Sequence, residues 1–337
     1  MELSVEHVLV TGGAGYVGSG LLRELLSQGY YVTCVDKLMF GGESLLDIWH
    51  NDNFTFIKCD VNDWDAFNSI LTDNNFDAVI HLAAIVGDPA CKLHSDLANK
   101  TNWDSSKWLI DRCKEIGISK FLFASTCSNY GKMDDPESYV DEDSKLAPVS
   151  LYAELKVKFE QYMLNEMTKS DDFVPTSLRF STVYGLSPRM RFDLTVNEFT
   201  KDLALGRELV IFGEQFWRPY CHVKDFSNAF ITVLKSPTEK VAYNVFNVGD
   251  TQENYTKQML IDEIKKVLPE SKIKYVNKNE DPRDYRVNSD KIKRELGFEI
   301  TMRVSDGIKE VKRMVQEGVI QDPEDQKYYN IPHECKD

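Results

Sequence analysis

The chain has 337 residues, 42% of them hydrophobic and 28% charged, which is a balance typical of a globular protein. Its formal net charge of −14 opposes nucleic-acid binding, and it has neither an apolar run long enough for a membrane span nor the pattern of a signal peptide. Seven scattered cysteines without a CxxC pair favour a reduced, cytoplasmic protein, and we expect no metal site.

Short apolar runs alternate with amphipathic stretches of helical length along the first half of the chain. This alternation predicts an α/β fold with a parallel sheet covered by helices on both faces. Leucines at helical spacing before Gly29 predict a helix between the first two strands, and further helices are predicted over 96–117 and 151–169. The predicted strands are 7–11, 31–36, 54–59, 77–83, 120–125 and 176–180.

The glycine-rich segment 11–18, Thr-Gly-Gly-Ala-Gly-Tyr-Val-Gly, lies between the first predicted strand and helix. Glycine lets the backbone approach a pyrophosphate closely, and the helix start offers free N–H groups and a positive dipole end. Asp36 ends the next strand, where a carboxylate can hydrogen-bond adenosine ribose hydroxyls and repel a 2′-phosphate. These features predict a Rossmann domain that binds NAD in preference to NADP, a preference that Lys37 weakens.

Two more strand ends extend this predicted site. Asp60 follows the third strand, where its carboxylate could reach an adenine. The fourth strand ends in the small residues of Leu82-Ala83-Ala84, which would let a cofactor pass close to the backbone.

Tyr152 and Lys156 are four residues apart in a predicted helix and so share one face. A neighbouring ammonium, together with a positive nicotinamide ring, would stabilise the phenolate and lower the pKa of the tyrosine. Tyr152 could then take a proton from a substrate hydroxyl while the carbon gives a hydride to NAD. The alternative for this spacing is an exposed helical pair without a catalytic role.

Together these residues resemble the extended short-chain dehydrogenase/reductase family of nucleotide-sugar epimerases and dehydratases. The resemblance covers nearly the whole chain and rests on segments 11–18, 60–61, 81–84, 125–131, 152–156, 218–225 and 295–298, with Asp36. It implies that Thr126 hydrogen-bonds the reacting oxygen, beside the catalytic pair Tyr152 and Lys156. It also implies a homodimer, formed through the helices that begin near Asp96 and Leu151.

The cofactor-binding positions follow from the glycine fingerprint, the strand ends, the Tyr–Lys pair and this resemblance, which adds Asn102. They are Gly12, Gly15, Tyr16, Val17, Gly18, Asp36, Lys37, Asp60, Val61, Leu82, Ala83, Ala84, Asn102, Tyr152 and Lys156.

Departures from the family patterns reduce the number of reactions that the resemblance allows. Cys127-Ser128 replaces the Asp-Glu that dehydratases carry after the active-site threonine. Ser128 also replaces the cysteine of the epimerase-reductases, whose histidine is missing from 184–189. The resemblance therefore favours oxidation at C4 of a nucleotide-diphosphate sugar, as a 4-epimerase in carbohydrate biosynthesis.

Two alternatives stay open at this point. One is a 4-dehydrogenase or 4-ketoreductase, because 187–193 and 36–40 are similar to a branch that contains a GDP-heptose 4-dehydrogenase. That similarity argues against a simple match to UDP-glucose 4-epimerases. So does the sequence Phe180-Ser181-Thr182, which replaces their Tyr-Phe-Asn and lacks their substrate asparagine. The other alternative is a non-catalytic, NAD-sensing protein.

The C-terminal half is predicted to bind the substrate. Arginine forks match phosphate oxygens in pairs, and the resemblance implies that Arg189, Arg191, Arg218 and Arg283 lie in segments near a diphosphate. Thr126 and Ser181 are expected at the sugar. The predicted Rossmann domain covers 1–185, with 222–250 returning to it. A smaller α+β substrate-binding lobe covers 186–221 and 251–330, followed by a tail at 331–337.

Overall fold

The computed structural model describes residues 5–133, 135, 138–276 and 283–330. The strands are β1 (His7–Thr11), β2 (Tyr31–Asp36), β3 (Phe54–Lys58), β4 (Ala78–His81), β5 (Lys120–Thr126), β6 (Val174–Phe180), β7 (Thr182–Tyr184), β8 (Glu208–Phe212), β9 (Trp217–His222), β10 (Asn244–Val248), β11 (Asn254–Thr256) and β12 (Lys272–Val276).

The α-helices are α1 (Tyr16–Ser27), α2 (Trp64–Thr72), α3 (Asp88–Leu93), α4 (Ser95–Asn99), α5 (Ser106–Glu115), α6 (Leu151–Gln161), α7 (Thr195–Ala204), α8 (Val223–Lys235), α9 (Thr238–Val241), α10 (Lys257–Val267), α11 (Asp290–Leu296) and α12 (Val304–Gln316). Shorter 3-10 turns lie at Glu43–Ile48, Cys127–Tyr130 and Gln326–Tyr328, and π-helical turns at Lys100–Ser105 and Tyr162–Glu166. None of the helices described here is long and apolar enough to cross a bilayer.

A seven-stranded sheet forms the centre of the molecule, in the order β10-β6-β5-β4-β1-β2-β3, with every neighbouring pair parallel. Apolar side chains of α1 and α8, such as Leu22 and Phe230, pack on one face, and those of α2, α5 and α6, such as Phe67 and Phe159, pack on the other. This confirms the predicted doubly wound Rossmann fold. The strand order reverses between β1 and β4, which opens a crevice at their carboxyl ends.

The C-terminal part builds a smaller lobe over that crevice. It contains a three-stranded sheet, β11-β9-β7, a two-stranded sheet, β12-β8, and the helices α7, α10 and α12 around a separate apolar core. Between these pieces the chain returns to the main sheet, because α8 packs beside α1 and β10 pairs with β6.

Several element boundaries predicted from the sequence were wrong by one to three residues. The fourth strand ends at His81 rather than at residue 83, because the N–H groups of Leu82 and Ala83 turn to donate to Thr11 Oγ1, each at 3.2 Å. The helix predicted to run to residue 169 changes to a π-helical turn at Tyr162 and ends at Glu166. The remaining differences concern the ends of 54–59, 96–117, 120–125 and 176–180.

Candidate active site

The glycines of 11–18 shape the turn between β1 and α1. Gly12 has φ +72°, and a Cβ there would lie 2.8 Å from the backbone nitrogen of Ala83, so only glycine allows β1 and the end of β4 to approach this closely. A Cβ at Gly18 would lie 2.5 Å from the carbonyl oxygen of Gly12. Apart from the two adjacent residues, a Cβ at Gly15 would have only that same oxygen within 4 Å among the described residues, at 3.2 Å, so the space in front of α1 is open.

The first turn of α1 has no side-chain cap at its N-cap residue, Gly15. Its first N–H groups therefore point toward the crevice without a capping partner, and the positive end of the helix dipole adds to their attraction for an anion. The turn combines the open space and the donors that a pyrophosphate needs.

Asp36, at the end of β2, has its carboxylate directed back toward this turn. Its two oxygens accept from Ala14 N at 3.0 Å and from Leu38 N at 2.7 Å. Burial raises the pKa of Asp36, and the two N–H donors and the charges of Lys37 and Arg189 oppose that shift. Because a carboxylate oxygen accepts more than one hydrogen bond, Asp36 can still receive ribose hydroxyls.

Lys37 forms an ion pair with Asp60, with 3.3 Å between Nζ and Oδ2. Next to Asp60, Val61 is buried and contributes to the core under β2 and β4. The structure thus places Asp36, Lys37 and Asp60 side by side along the edge of the crevice.

A chain of buried polar side chains, which the sequence reasoning missed, supports the end of β4. Thr11 Oγ1 accepts two backbone N–H groups, so its hydroxyl donates to His81 Nδ1 at 2.8 Å. His81 Nε2–H then donates to Ser106 Oγ at 2.9 Å, which donates to the carbonyl oxygen of Thr101. Burial lowers the pKa of His81 to about 3, so the ring is neutral and its tautomer is set by these partners.

Asn102 lies in the π-helical turn Lys100–Ser105 and holds the loop after β4. Its amide oxygen accepts from Ile85 N at 2.8 Å, and its amide nitrogen donates to Ile85 O at 2.9 Å. The wider π turn brings this side chain to the loop that borders the crevice, as π turns commonly do at functional sites.

Tyr152 and Lys156 meet at the carboxyl end of β5, as the helical spacing predicted. Lys156 Nζ donates to Ala124 O at 2.7 Å and lies 5.8 Å from the centre of the Tyr152 ring. Burial lowers the pKa of Lys156 to about 7. Burial also raises the pKa of Tyr152, with Cys91 and Asp88 adding to the shift and Arg191 opposing it, so the chain by itself holds Tyr152 as a neutral phenol.

Thr126 ends β5 next to this pair, and its neighbour in the register, Phe180, leads into Ser181. Thr126 Oγ1 accepts from Ser128 N at 3.1 Å, and Ser181 Oγ donates to Val248 O at 2.8 Å. The thiol of Cys127 is buried and donates to Arg179 O, which agrees with a packing role.

Tyr285 of the lobe also lies at this site, although sequence reasoning did not select it. Its hydroxyl is 3.4 Å from Ser128 Oγ, and the charges of Arg218 and Arg283 both act on it. The tyrosine follows Arg283 by two residues, and that proximity was the signal that could have revealed it.

The four predicted substrate arginines occupy different surroundings. Arg218 Nη1 donates to Trp217 O, and its guanidinium lies 5.4 Å from the centre of the Tyr285 ring. Arg283 pairs with Asp88 across the crevice at 2.8 Å, and Asp88 also accepts from Ser150, the N-cap of α6. Arg191 and Arg189 lie in the segment after β7, where Arg191 pairs with Asp193 and Arg189 is buried against Phe40.

Comparison with known proteins identifies the same family that the sequence indicated. Residues 8–249, more than two thirds of the chain, match the model of the NAD dependent epimerase/dehydratase family. UDP-arabinose 4-epimerase 1 of Arabidopsis thaliana is 30% identical over 88% of this chain and 76% of its own length.

Solved structures agree with this match. UDP-glucose 4-epimerase from Thermotoga maritima, determined with UDP-glucose, has a TM-score of 0.81 at 26% identity and covers 93% of this chain and 99% of its own. UDP-glucuronic acid 4-epimerase from Bacillus cereus, determined with UDP-glucuronic acid and NAD, has a TM-score of 0.80 at 25% identity, covering 92% of this chain and 99% of its own.

Proposed function

The chain belongs to the NAD-dependent epimerase/dehydratase family, and we propose that it is an NAD-dependent 4-epimerase of nucleotide-diphosphate sugars. The observation that carries this proposal is the contact of Lys156 with the carboxyl end of β5. Its Nζ donates to Ala124 O, two residues before Thr126, and lies 5.8 Å from the centre of the Tyr152 ring. Similar proteins are named 4-epimerases, which supports C4 of the sugar as the carbon that is oxidised.

The residues present fit NAD. The open space at Gly15 and the free N–H groups of α1 suit the pyrophosphate, and Asp36 suits the adenosine ribose. The half-buried Leu82, Ala83 and Ala84 would line its path toward Tyr152 and Lys156. When bound, NAD supplies the reversible hydride acceptor.

Tyr152 would act as the general base on the C4 hydroxyl of the sugar. Its buried, neutral phenol loses its proton only when positive charge is brought close, which Lys156 and the nicotinamide ring together provide. The hydroxyl of Thr126 would donate to the same oxygen and keep it in place. After the sugar has turned its other face, C4 would take the hydride back from the reduced cofactor and Tyr152 would return its proton to the oxygen, which completes the epimerisation and restores NAD.

The neighbouring residues argue against elimination of water from the sugar. Cys127 is enclosed and held by Arg179 O, and Ser128 has an ordinary hydroxyl. Neither supplies the carboxyl acid and base that a dehydration requires.

We assign the substrate to the lobe, residues 186–221 and 251–330, facing the Rossmann part. The charges of Arg218 and Arg283 act on Tyr285, whose hydroxyl contacts Ser128, so we place both arginines on the substrate side of the crevice. Their positive charges would face the diphosphate, which lets an acidic chain bind an anionic substrate.

We further propose a homodimer formed by the two helical stretches that begin near Asp96 and Leu151. Half-buried aromatic rings lie on this side, where Trp103 meets Tyr162 edge-on at 5.9 Å and Lys158 lies 3.8 Å over the Trp103 ring. The six described cysteines are free thiols, which supports a location in the reducing cytoplasm.

The test is proton NMR of UDP-, GDP-, CDP- and dTDP-sugars incubated with the purified protein and no added cofactor. We expect one nucleotide series to give a mixture of two C4 epimers at equilibrium. A stoichiometric 4-keto sugar with NADH left on the protein would replace the epimerase by a 4-dehydrogenase. No product and no NADH formation with any sugar would contradict both enzymes and favour a protein that only senses NAD.

A further inference from the structure

The segment after β7, residues 185–193, crosses the first turns of α1, and we call it the bridging segment. Tyr16 Oη donates to Gly185 O at 2.6 Å, Ser187 Oγ donates to Tyr16 O at 2.5 Å, and the backbone N of Arg189 donates to Ser19 Oγ at 3.3 Å. The lobe is thereby attached at the end of the helix where the cofactor phosphates are proposed to bind.

A fully buried asparagine holds the bridging segment in shape. Asn197 Oδ1 accepts from Gly185 N at 2.9 Å, and Asn197 Nδ2 donates to Arg191 O at 2.9 Å. Arg191 Nε and Nη2 donate to the two carboxylate oxygens of Asp193, at 2.9 and 2.8 Å. Hydrogen bonds on both sides of Arg189, at Gly185 and at Arg191, therefore hold this part of the bridging segment in place.

Arg189 is 7% exposed, and its guanidinium lies 4.1 Å from the centre of the Phe40 ring. Its Nη1 donates to Asn330 Oδ1 at 2.9 Å. Its Nε and Nη2 are buried and have no hydrogen-bond partner in the described part of the chain. A buried cation with two unused donors is costly, because desolvated N–H groups without acceptors lose the hydrogen bonds they had with water.

The two unused donors form one edge of the guanidinium, the same edge with which Arg191 holds the two oxygens of Asp193. That edge fits paired oxygens of a carboxylate or a phosphate. The acidic groups that act on Arg189 are Asp193, which is already paired with Arg191, and Asp36, whose oxygens accept from Ala14 N and Leu38 N. The free edge therefore has the geometry for an oxyanion brought by a ligand at the adenosine end of the crevice.

We propose that Arg189 binds phosphate oxygens of the dinucleotide through its free Nε–Nη2 edge, and so belongs to the cofactor site rather than the substrate site. This inference rests on the proposed binding of NAD. The oxygens come either from the pyrophosphate or from the 2′-phosphate of NADP, and the two sources are separated by experiment.

Binding requires a small movement of the loop that follows β2, because Phe40 covers the guanidinium and both free donors are shielded from solvent. This loop contains Leu38 at φ +61°, a conformation that costs free energy for a residue with a Cβ. Release of that strain would help offset the cost of moving Phe40.

The test compares the dissociation constants of NADH and NADPH for wild type, R189M and R189K, measured by nicotinamide fluorescence on protein freed of bound nucleotide. Methionine keeps the apolar stem, whereas lysine keeps the charge without the paired donors. R313M, which removes an exposed arginine of α12, is the matched control. We expect R189M to weaken binding about tenfold or more, R189K to weaken it less, and R313M to leave it unchanged.

Equal weakening of both nucleotides assigns the pyrophosphate, and weakening of NADPH alone assigns the 2′-phosphate. Dissociation constants in R189M and R189K within twofold of wild type would overturn the inference and leave the proposed function intact. If wild type binds neither NADH nor NADPH, both the inference about Arg189 and the proposed function are overturned. If R189M does not fold, R189K decides by the same criterion.

Discussion

Lys156 has its ammonium in an enclosed position, with Ala124 O as its acceptor and the Phe123 ring 4.5 Å away. Burial destabilises the charged ammonium more than this hydrogen bond stabilises it, and the pKa of Lys156 falls to about 7. The same lysine that would assist Tyr152 therefore destabilises the free protein when it is charged.

This cost predicts a pH dependence of stability. The unfolded lysine keeps a pKa of about 10.4, so between pH 7 and 10 the unfolded chain binds more protons than the folded one, and stability rises with pH. From pH 7 to pH 9 we expect wild type to gain about 2 kcal/mol relative to K156M. Urea unfolding of both proteins at the two pH values measures the difference. Parallel pH profiles would show that Lys156 is not desolvated as the structure indicates.

Replacement of Tyr152 by phenylalanine removes the proposed general base and leaves the crevice unchanged in shape. We expect turnover of the nucleotide sugar to fall about 100-fold or more, with the dissociation constant of NADH unchanged. NMR of product formation and a fluorescence titration measure the two quantities. Y31F is the control, because Tyr31 is exposed at the start of β2. Full activity in Y152F would remove Tyr152 from the mechanism.

The helix α1 shows how two glycines in one element have different roles. Gly18 faces the turn at Gly12 and Gly13, with no room for a Cβ, whereas a Cβ at Gly20 would meet only Ser227 Oγ at 3.8 Å. The first glycine is required by close packing at the proposed pyrophosphate site, and the second is not.

We therefore expect opposite effects from two alanine substitutions in α1. G18A should lose about 1–3 kcal/mol of stability from overpacking and should bind NADH more weakly. G20A should gain up to about 1 kcal/mol from helix propensity, with NADH binding unchanged. Urea unfolding and NADH titration of the two variants test this. Equal effects on stability would mean that the turn can shift to accept a Cβ at residue 18.

At the scale of the whole molecule, the crevice is bridged by groups from both sides. The bridging segment fastens the lobe to α1, and the Arg283–Asp88 pair joins the lobe to the loop after β4 beside the N-cap of α6. Both side chains of this pair are partly exposed, so it contributes little to stability. Its position matters more, because it brings the charge of Arg283 to the start of α6, which carries Tyr152 and Lys156.

The proposed dimer gives a prediction at this scale. Light scattering should report twice the chain mass of 38.7 kDa for wild type and a monomer for W103E, because the substitution removes apolar area from the proposed interface and adds a charge whose desolvation is costly. W49E, which alters an exposed tryptophan beside β3, should stay dimeric. A monomeric wild type, or a dimeric W103E, would exclude this interface.

The sequence by itself determined the Rossmann fold, the family, the glycine turn, and the shared face of Tyr152 and Lys156. All of these depend on residues close in the chain, where the periodicity of a helix or strand dictates which side chains meet. Local patterns likewise identified Asp36, because it ends a strand next to the glycine turn.

Only the tertiary structure decided which distant residues meet in the crevice. Tyr285 reaches Ser128, Asp88 meets Arg283, and Arg189 lies on Phe40, because the lobe folds over the sheet and joins segments far apart in sequence. The burial that shifts the pKa values of Lys156 and His81 is also a tertiary property. Desolvation depends on every segment that surrounds a group, and the spacing of residues along the chain does not contain it.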